Sequence, residues 1–281
     1  MPLASVIEML READKKKAGI VGFNTFNFEE VAWIIEAADE ENVPAIIMLH
    51  PEMSYMSMPF DAHAAMTIKL AEKARVPIGL HLDHCENFAE IMVAIKCGFT
   101  SVMIDGSKLS FEENVRITKA VVDVAHPMGV CVEGELGRIG LAANCNDYLD
   151  TCLYTDPADA KAFVEQTGVD SLAIAIGSAH GFYVETPHLA LDRLIEINNL
   201  IDTPLVLHGG SGIPDDQLTI AGRNGINKLN VGTEYGHLFY VKTKEIIEKE
   251  RSRREDWMWC MDALKPMIKP YLKKKLHILG Y

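Results

Sequence analysis

The sequence lacks an excess of basic residues, a long apolar run and paired cysteines. Its 27 Lys and Arg against 40 Asp and Glu give a formal net charge of −13, which disfavours nonspecific binding to nucleic acid or an anionic membrane. No apolar run reaches the ~18 residues of a membrane span, and the N-terminus lacks the apolar core of a signal peptide. The six cysteines are scattered without a CxxC pair, as is typical of reduced thiols. We therefore expect a cytoplasmic protein whose partners include neither nucleic acid nor membrane.

The composition is otherwise that of an ordinary globular protein. Of 281 residues, 48% are hydrophobic and 24% charged, which is enough for a full core. The N-terminal stretch MPLASVIEMLREADKKKAG has the pattern of an amphipathic helix, with acidic residues early and lysines late. No Pro-, Gly- or Ser-rich linker divides the chain. We expect one domain over residues 1–281, in which residues 235–281 form a charged helical extension.

Short apolar runs rich in β-branched residues recur eight times and predict strands. They are IVGFN (20–24), PAIIML (44–49), IGLHLD (78–83), SVMIDG (101–106), GVCVEGE (129–135), DSLAIAIG (170–177), PLVLHG (204–209) and INKLNVG (226–232). Helical patterns lie between these runs. Several have candidate capping residues, namely Asp61, Ser110 and Asp156 at the start and Asn42, Gly98 and Gly168 at the end.

Strands that alternate with helices imply parallel βαβ units. Eight such units in under 300 residues predict a closed (β/α)₈, or TIM, barrel. A doubly wound open sheet is the alternative, but its glycine-rich first turn is missing, since the first turn here reads GFNTFNFEE. Residues 137–153 form the longest connection without periodicity, so we expect a mobile active-site loop there.

Polar residues are concentrated at the C-terminal ends of the predicted strands, where barrel enzymes carry their active sites. These residues are Asn24, His50, Asp83, His84, Asp105, Glu133, Glu135, His180, His208 and Asn230. Strand interiors hold almost no polar residues, with His81 and Lys228 as exceptions. This distribution predicts an active site at the end of the barrel where the strands finish.

Three histidines follow different strands and are candidate metal ligands. His84, His180 and His208 follow the third, sixth and seventh strands, and three imidazoles with an open fourth position suit a catalytic zinc ion. A single histidine at a strand end is more often structural, so the interpretation depends on all three converging in a barrel. We expect His81 to be a core residue or one that supports the ligands from deeper in the strand. The remaining histidines fall on helices or loops, where we expect solvated side chains: His63, His126, His188, His237 and His277.

The carboxylates at the strand ends have separate predicted tasks. Asp83 would face the substrate as acid or base, because it adjoins His84. Asp105 and Glu135 would orient the imidazoles by accepting their second N–H. A cap or turn residue is the alternative reading of Asp105.

Two glycine-rich turns, HGGSGIPDD (208–216) and NVGTE (230–234), follow the seventh and eighth strands. Loops in these positions often bind phosphate, because small residues let backbone N–H groups reach an anion.

Five segments, GLHLDHC, VEGELGRIG, SLAIAIGSAHG, LVLHGGSGIP and INKLNVGTE, resemble the signature segments of class II, zinc-dependent ketose-bisphosphate aldolases. The similarity extends from about Gly22 to Glu234. It implies one Zn²⁺ on His84, His180 and His208, with Asp83 as catalytic acid/base. It also implies a dihydroxyacetone-phosphate half that contacts Gly181, Gly209, Gly210, Ser211, Asn230, Val231, Gly232 and Thr233.

The resemblance further implies a monovalent cation, Na⁺ or K⁺, near the phosphate loops and a homodimer or homotetramer. The C-terminal extension would take part in the oligomer contacts. Arg254 resembles the arginine that reaches the distal phosphate from a neighbouring subunit in this family, and Arg253 is its competitor. Asn24 and His50 are expected to contact substrate.

Two departures from the family pattern bear on the aldehyde half of the substrate. His50 replaces a small hydroxyl residue after the second strand. The loop IGLAANCNDYLD lacks the early acidic residues that can join in proton transfer, and its first acid is Asp147. We therefore expect an atypical aldehyde half.

The resemblance implies reversible cleavage of a phosphorylated ketose to dihydroxyacetone phosphate and an aldehyde through a zinc-stabilised enediolate. A Schiff-base mechanism would need a lysine at a strand end, but Lys228 lies inside the eighth strand and Lys108 lies in a loop. A metal-dependent hydrolase would usually carry an HxH pair after the first strand, whereas this chain has GFNTFN there. Two alternatives stay open: a non-catalytic sugar-phosphate binder, and an aldolase for a ketose 1-phosphate other than fructose or tagatose bisphosphate.

Overall fold

Eight parallel strands close into a barrel in chain order, with β8 paired to β1. They are β1 (Ile20–Asn24), β2 (Ala45–Leu49), β3 (Ile78–Cys85), β4 (Ser101–Ile104), β5 (Cys131–Leu136), β6 (Ser171–Ile174), β7 (Leu205–Leu207) and β8 (Ile226–Val231). The computed structural model describes residues 3–56, 58–144, 146–249 and 257–281. The predicted TIM barrel is confirmed, and each predicted strand has a counterpart.

Helices connect and cover the strands. They are α1 (Val6–Lys15), α2 (Phe28–Glu41), α3 (Pro51–Met56), α4 (Phe60–Ala71), α5 (Phe88–Cys97), α6 (Phe111–Ala125), α7 (Asn146–Leu149), α8 (Pro157–Thr167), α9 (Leu191–Leu200), α10 (Asp215–Arg223), α11 (Thr233–Lys249) and α12 (Trp257–Leu276), with short 3₁₀ turns at His126–Met128 and Thr151–Leu153. Within the described ranges, no helix combines the length and apolarity needed to cross a membrane.

Five of the six predicted helix boundaries have the expected local chemistry. Ser110 and Asp156 accept hydrogen bonds from backbone N–H groups in the first turns of α6 and α8. Asn42, Gly98 and Gly168 end their helices in the left-handed conformation.

The prediction of Asp61 as a cap is wrong. Pro59 takes the cap position instead, and α4 begins at Phe60, so Asp61 is the second residue of the helix.

The N-terminal helix packs against the barrel near the starts of its strands. Val6, Met9, Leu10 and Ala13 of α1 form one buried cluster with apolar residues of β1, β2 and β5. A side chain at Gly79 near the start of β3 would lie 2.8 Å from Val6 Cγ2, so the helix sits tightly there. The opposite end, where the strands finish, remains open for a site.

The C-terminal helix α12 packs along α11 and α2. Its buried residues Leu264, Ile268 and Leu272 belong to the main core. Lysines on its other side pair with acidic residues of α2, as in the contact of Lys269 with Glu36 at 2.6 Å. Helix α12 is thus packed into the barrel's outer layer.

Candidate active site

Three imidazoles from distant parts of the chain meet at the C-terminal end of the barrel. His84 lies near the end of β3, His180 in the loop after β6 and His208 directly after β7. His84 Nε2 is 2.6 Å from His208 Nδ1 and 3.1 Å from His180 Nε2. His84 has a φ of 47°, next to a register shift between β3 and β4. Such a conformation is unfavourable for a non-glycine residue and has to be held by its surroundings.

The three nitrogens suit one cation between them. Burial lowers the pKa of His84, but the neighbouring carboxylates Asp83 and Asp105 outweigh it and raise the pKa to about 9. Burial and the charge on His84 lower the pKa of His180 to about 3 and also lower that of His208. The carboxylates thus attract a positive charge to this point, while His180 and His208 are favoured as neutral acceptors, and a cation between the three rings would take the place of a proton on His84.

The chemistry of this donor set fits zinc. The three ligand atoms of His84, His180 and His208 lie within 4.8 Å of one another. Three neutral imidazole nitrogens with one open side are a common ligand set of catalytic zinc. His84, Asp105 and Glu135 form a second group with the same spacing.

Carboxylates lie within hydrogen-bond distance of two of the imidazoles, those of His84 and His208. Asp105 Oδ2 lies 3.0 Å from His84 Nδ1, while Asp105 Oδ1 accepts from the backbone and hydroxyl of Ser107. Asp105 therefore contacts His84 with one oxygen and the following turn with the other. Glu135 Oε2 is 3.8 Å from His84 Nδ1, beyond hydrogen-bond distance. His208 is instead held by Glu133, whose Oε1 is 2.9 Å from His208 Nε2.

A buried charged layer lies deeper in the barrel, below the imidazoles. Lys228 Nζ lies 2.8 Å from Glu133 Oε2 and 3.2 Å from His81 Nε2, and His81 Nδ1 lies 2.7 Å from Ser101 Oγ. All four side chains are buried. Burial raises the pKa of Glu133, but Lys228 and His81 outweigh it and lower the pKa below its usual range. Glu133 is therefore ionised, and His81 is the core group that its position predicts.

Asp83 is a buried carboxylate held by two asparagines. Asn24 Nδ2 of β1 donates to Asp83 Oδ2 over 2.7 Å, and Asn230 Nδ2 of β8 donates to Oδ1 over 2.8 Å. Burial raises the pKa of Asp83, but nearby His84, His208 and Lys228 outweigh it and depress the pKa. Asp83 is an ionised, oriented acceptor at the base of the cavity.

A cavity of about 930 Å³ opens above these groups. On one side it is lined by residues of the loops after β6, β7 and β8: Gly181, Gly209, Ser211, Asn230, Gly232 and Thr233. Gly209 has a φ of 66°, and a Cβ there would lie 2.3 Å from Ala179 O, so only glycine fits. Gly210 and Val231 are not among the lining residues, and Val231 packs in the core.

The other side of the cavity carries His50 and several charged residues. His50 follows β2, and its ring centroid is 6.0 Å from that of His84. Its Nδ1 accepts from the backbone N–H of Glu52. The charged residues of this side include Glu52, Glu86, Glu90, Lys108 and Arg138, and Lys108 Nζ lies 2.7 Å from Glu86 Oε1.

Comparison with known proteins is consistent with this geometry. Residues 4–281 match the model of the family described as "Fructose-bisphosphate aldolase class-II". This chain belongs to the class II fructose-bisphosphate aldolase family. It is therefore an aldolase, a carbon–carbon lyase, as the resemblance of its five sequence segments predicts.

Solved structures of similar proteins cover almost the whole aldolase. The YdjI aldolase from Escherichia coli K12 is 34% identical over 99% of this chain and 97% of its own, with a TM-score of 0.88. A putative fructose-1,6-bisphosphate aldolase from Coccidioides immitis is 26% identical over 98% and 96%, with a TM-score of 0.85. The fructose-bisphosphate aldolase of Campylobacter jejuni, at 21% identity over 98% and 94% and a TM-score of 0.82, shows the same fold.

One prediction about the histidines of the aldolase is wrong. His63 is buried rather than solvated, because α4 turns it toward β1, where its Nε2 lies 2.8 Å from Thr25 Oγ1. The other four of that group, His126, His188, His237 and His277, are exposed.

Some predicted residues cannot be placed. Arg253 and Arg254 lie outside the described residues, and so does the side chain of Asp147. Residues 140 and 142, in the predicted mobile loop, exchange backbone hydrogen bonds of 2.8 Å with His180. This part of the loop is therefore tied to the segment that carries a candidate metal ligand.

The roles of Glu133 and Lys228 were missed by the sequence interpretation. A signal was present, because His81, Glu133 and Lys228 each lie two residues before a polar strand-end residue. Side chains two apart in a strand point to the same side, so these three had to lie in the next layer inside the barrel.

Proposed function

We propose that this aldolase cleaves a phosphorylated ketose to dihydroxyacetone phosphate and an aldehyde, and condenses them in reverse, with a zinc ion on His84, His180 and His208. The observation that carries the proposal is the meeting of three imidazole nitrogens within 4.8 Å at the open end of the barrel. When bound, zinc supplies Lewis-acid stabilisation of the negative charge that cleavage leaves on the ketose oxygens.

Asp83 is the proposed catalytic base. Cleavage of the C3–C4 bond requires removal of the proton on the C4 hydroxyl, a proton is then added to C3 to give dihydroxyacetone phosphate, and condensation reverses both transfers. The carboxylate is ionised and fixed by Asn24 and Asn230, so it accepts a proton without first having to reorient. In this proposal both asparagines act mainly by orienting Asp83 and also border the substrate.

The phosphate of the dihydroxyacetone-phosphate half is proposed to bind where the loops after β6, β7 and β8 meet. Gly181, Gly209 and Ser211 line this region. Thr233 begins α11, so the positive end of a 17-residue helix lies here. The proposed contacts also include the backbone of Gly210, Asn230, Val231 and Gly232. A monovalent cation, Na⁺ or K⁺, is proposed nearby to balance the phosphate charge.

The aldehyde half is proposed to extend toward β2, β3 and β4. In an eight-stranded barrel in chain order, β3 and β4 lie opposite β7 and β8. A ketose with its phosphate at β7 and β8 and its scissile bond beside His84 must therefore reach the opposite side of the cavity. We call this side, with His50, Glu52, Glu86, Glu90, Lys108 and Arg138, the far wall. Carboxylates outnumber cations among the described residues of this wall, since Glu52, Glu86 and Glu90 line it together with Lys108 and Arg138.

This wall favours a ketose 1-phosphate whose aldehyde half carries hydroxyl groups and no second phosphate. Carboxylates accept hydrogen bonds from hydroxyls and repel a phosphate dianion. The half-buried imidazole of His50 adds bulk and a polar atom to the same wall. Fructose 1,6-bisphosphate and tagatose 1,6-bisphosphate are therefore proposed to be poor substrates.

The test is to incubate the zinc-loaded protein with a panel of ketose 1-phosphates and ketose 1,6-bisphosphates and measure release of dihydroxyacetone phosphate. Release from a ketose 1-phosphate, faster than from either bisphosphate, supports the proposal. Efficient turnover of a bisphosphate that Arg138→Met abolishes would instead assign the far wall to a second phosphate. Binding of phosphorylated sugars without cleavage of any would favour the non-catalytic binder.

Assembly and location complete the proposal. A homodimer or homotetramer with contacts from residues 235–281 is proposed, in which Arg254 or Arg253 reaches a neighbouring subunit's substrate. Cys85, Cys97, Cys131 and Cys260 are free thiols, which supports the proposed cytoplasmic location.

A further inference from the structure

A buried lysine near the end of the chain contacts the region next to the proposed phosphate site. The side chain of Lys275 is 6% exposed, and its Nζ lies 2.9 Å from Glu234 Oε2. Lysine is rarely buried unless its charge is paired. The other paired lysines of α12 that face α2, Lys265, Lys269 and Lys273, are 18–37% exposed. Lys275 is thus distinguished by both its burial and its partner.

Glu234 links three parts of the molecule. It is the second residue of α11 and directly follows the end of β8, where Asn230, Gly232 and Thr233 line the cavity. Its backbone N–H donates to Ser211 Oγ over 3.0 Å, which joins the loop after β8 to the loop after β7. Its carboxylate contacts Lys275 of α12. One residue therefore connects both glycine-rich loops to the C-terminal helix.

We infer that Lys275 is a positioning residue for phosphate binding, an inference that rests on the proposed function. By pairing with Glu234, Lys275 fixes the first turn of α11 and with it the N–H that donates to Ser211. It also neutralises a carboxylate that would otherwise place a negative charge beside a phosphate dianion. Lys275 touches neither the cavity nor the three imidazoles in the described contacts, so it acts through Glu234.

Lys269 provides a matched control on the same helix. It also pairs with two carboxylates, Glu36 and Glu40, but these belong to α2 and do not line the cavity. Lys269→Met therefore loosens α12 in a similar way without disturbing the phosphate loops. A difference between the two variants isolates the contact with Glu234 from general docking of the helix.

The experiment compares the wild type with Lys275→Met, Lys275→Arg and Lys269→Met, all zinc-loaded. It measures KM and kcat for the best ketose phosphate and the inhibition constant of inorganic phosphate. For Lys275→Met we expect KM and the inhibition constant to rise about tenfold, the effect of losing one charge-assisted contact, with kcat nearly unchanged. Lys275→Arg should recover most of the affinity, and Lys269→Met should resemble the wild type.

Equal effects of Lys275→Met and Lys269→Met, or an unchanged inhibition constant in Lys275→Met, would overturn the inference. If Lys275→Met does not fold, Lys275→Gln replaces it, and weaker phosphate binding is again required. A wild-type protein that neither cleaves ketose phosphates nor binds phosphate would refute the proposed function itself. A failure of the inference alone would leave wild-type cleavage and phosphate inhibition intact.

Discussion

Glu133 Oε1 accepts a 2.9 Å hydrogen bond from His208 Nε2, which leaves His208 Nδ1 as the nitrogen that faces His84. Since Lys228 keeps Glu133 ionised from the other side, the ring orientation and tautomer of His208 are both fixed. The candidate metal site is thus built in two layers of the barrel.

Glu133→Gln is predicted to weaken zinc binding by about 10–100-fold, because a neutral amide holds the imidazole less well and lowers its basicity. Competition with a coloured chelator measures this affinity. Glu135→Gln is the matched control, since Glu135 is equally buried on the same strand but forms no hydrogen bond to an imidazole nitrogen. Equal losses in both variants would argue against a specific role of Glu133.

Asp83→Ala is predicted to keep the fold and bound zinc but to lose about 10²–10⁴-fold in cleavage rate, the usual contribution of a general base. Steady-state release of dihydroxyacetone phosphate and metal analysis of the same sample check this. A loss of less than about tenfold would assign proton transfer elsewhere, with Glu135 and Asp147 as the next candidates.

The fold followed from the sequence because helix and strand periodicities alternate along most of the chain, and only residues 137–153 break the alternation. Strand ends were equally readable, since polar residues there stand out against apolar interiors. Asp61 was misassigned because a capping side chain is only a local preference, and Pro59 fixed the entry of the helix first. His63 was misassigned because its helix, FDAHAAMTIKLA, carries apolar residues all around it, so that no single face is marked as buried.

Contacts across the barrel could not be predicted residue by residue. Lys228 and Glu133 lie on β8 and β5, and their pairing depends on the closed barrel. Lys275 and Glu234 depend on how α12 packs against α11, which no local pattern specifies.

Burial of His63 predicts a pH-dependent stability. Burial lowers its pKa to about 4 from a usual 6.5. Between these pH values the unfolded chain binds a proton that the folded protein does not, so stability rises with pH and falls as the solution is acidified. His63 therefore contributes stability fully above about pH 6.5 that is lost toward pH 4, amounting to about 3 kcal/mol.

Urea unfolding at pH 7 and pH 4.5 checks this prediction. For His63→Gln, the difference in unfolding free energy between the two pH values should shrink by about 2–3 kcal/mol. The same substitution at the exposed His188 should leave the difference unchanged. An equal pH dependence of wild type and His63→Gln would contradict the prediction.

His50→Ser is predicted to shift substrate preference toward bisphosphates. A small hydroxyl restores space at the far wall and removes a polar ring that a second phosphate must contact, and polar mismatches can change specificity by orders of magnitude. The ratio of kcat/KM for fructose 1,6-bisphosphate and for the best ketose 1-phosphate, in wild type and variant, measures the shift. If fructose 1,6-bisphosphate is already the best substrate and the variant leaves the ranking unchanged, His50 is neutral variation.

The central claim is that His84, His180 and His208 make this aldolase metal-dependent. The most direct measurement is release of dihydroxyacetone phosphate from the best ketose phosphate by one sample before chelation, after removal of metal and after addition of zinc. Activity should disappear with the metal and return with one zinc ion per chain, and His208→Ala should not recover. Full activity of the metal-free protein, with substrate trapped on a lysine by borohydride, would contradict the account.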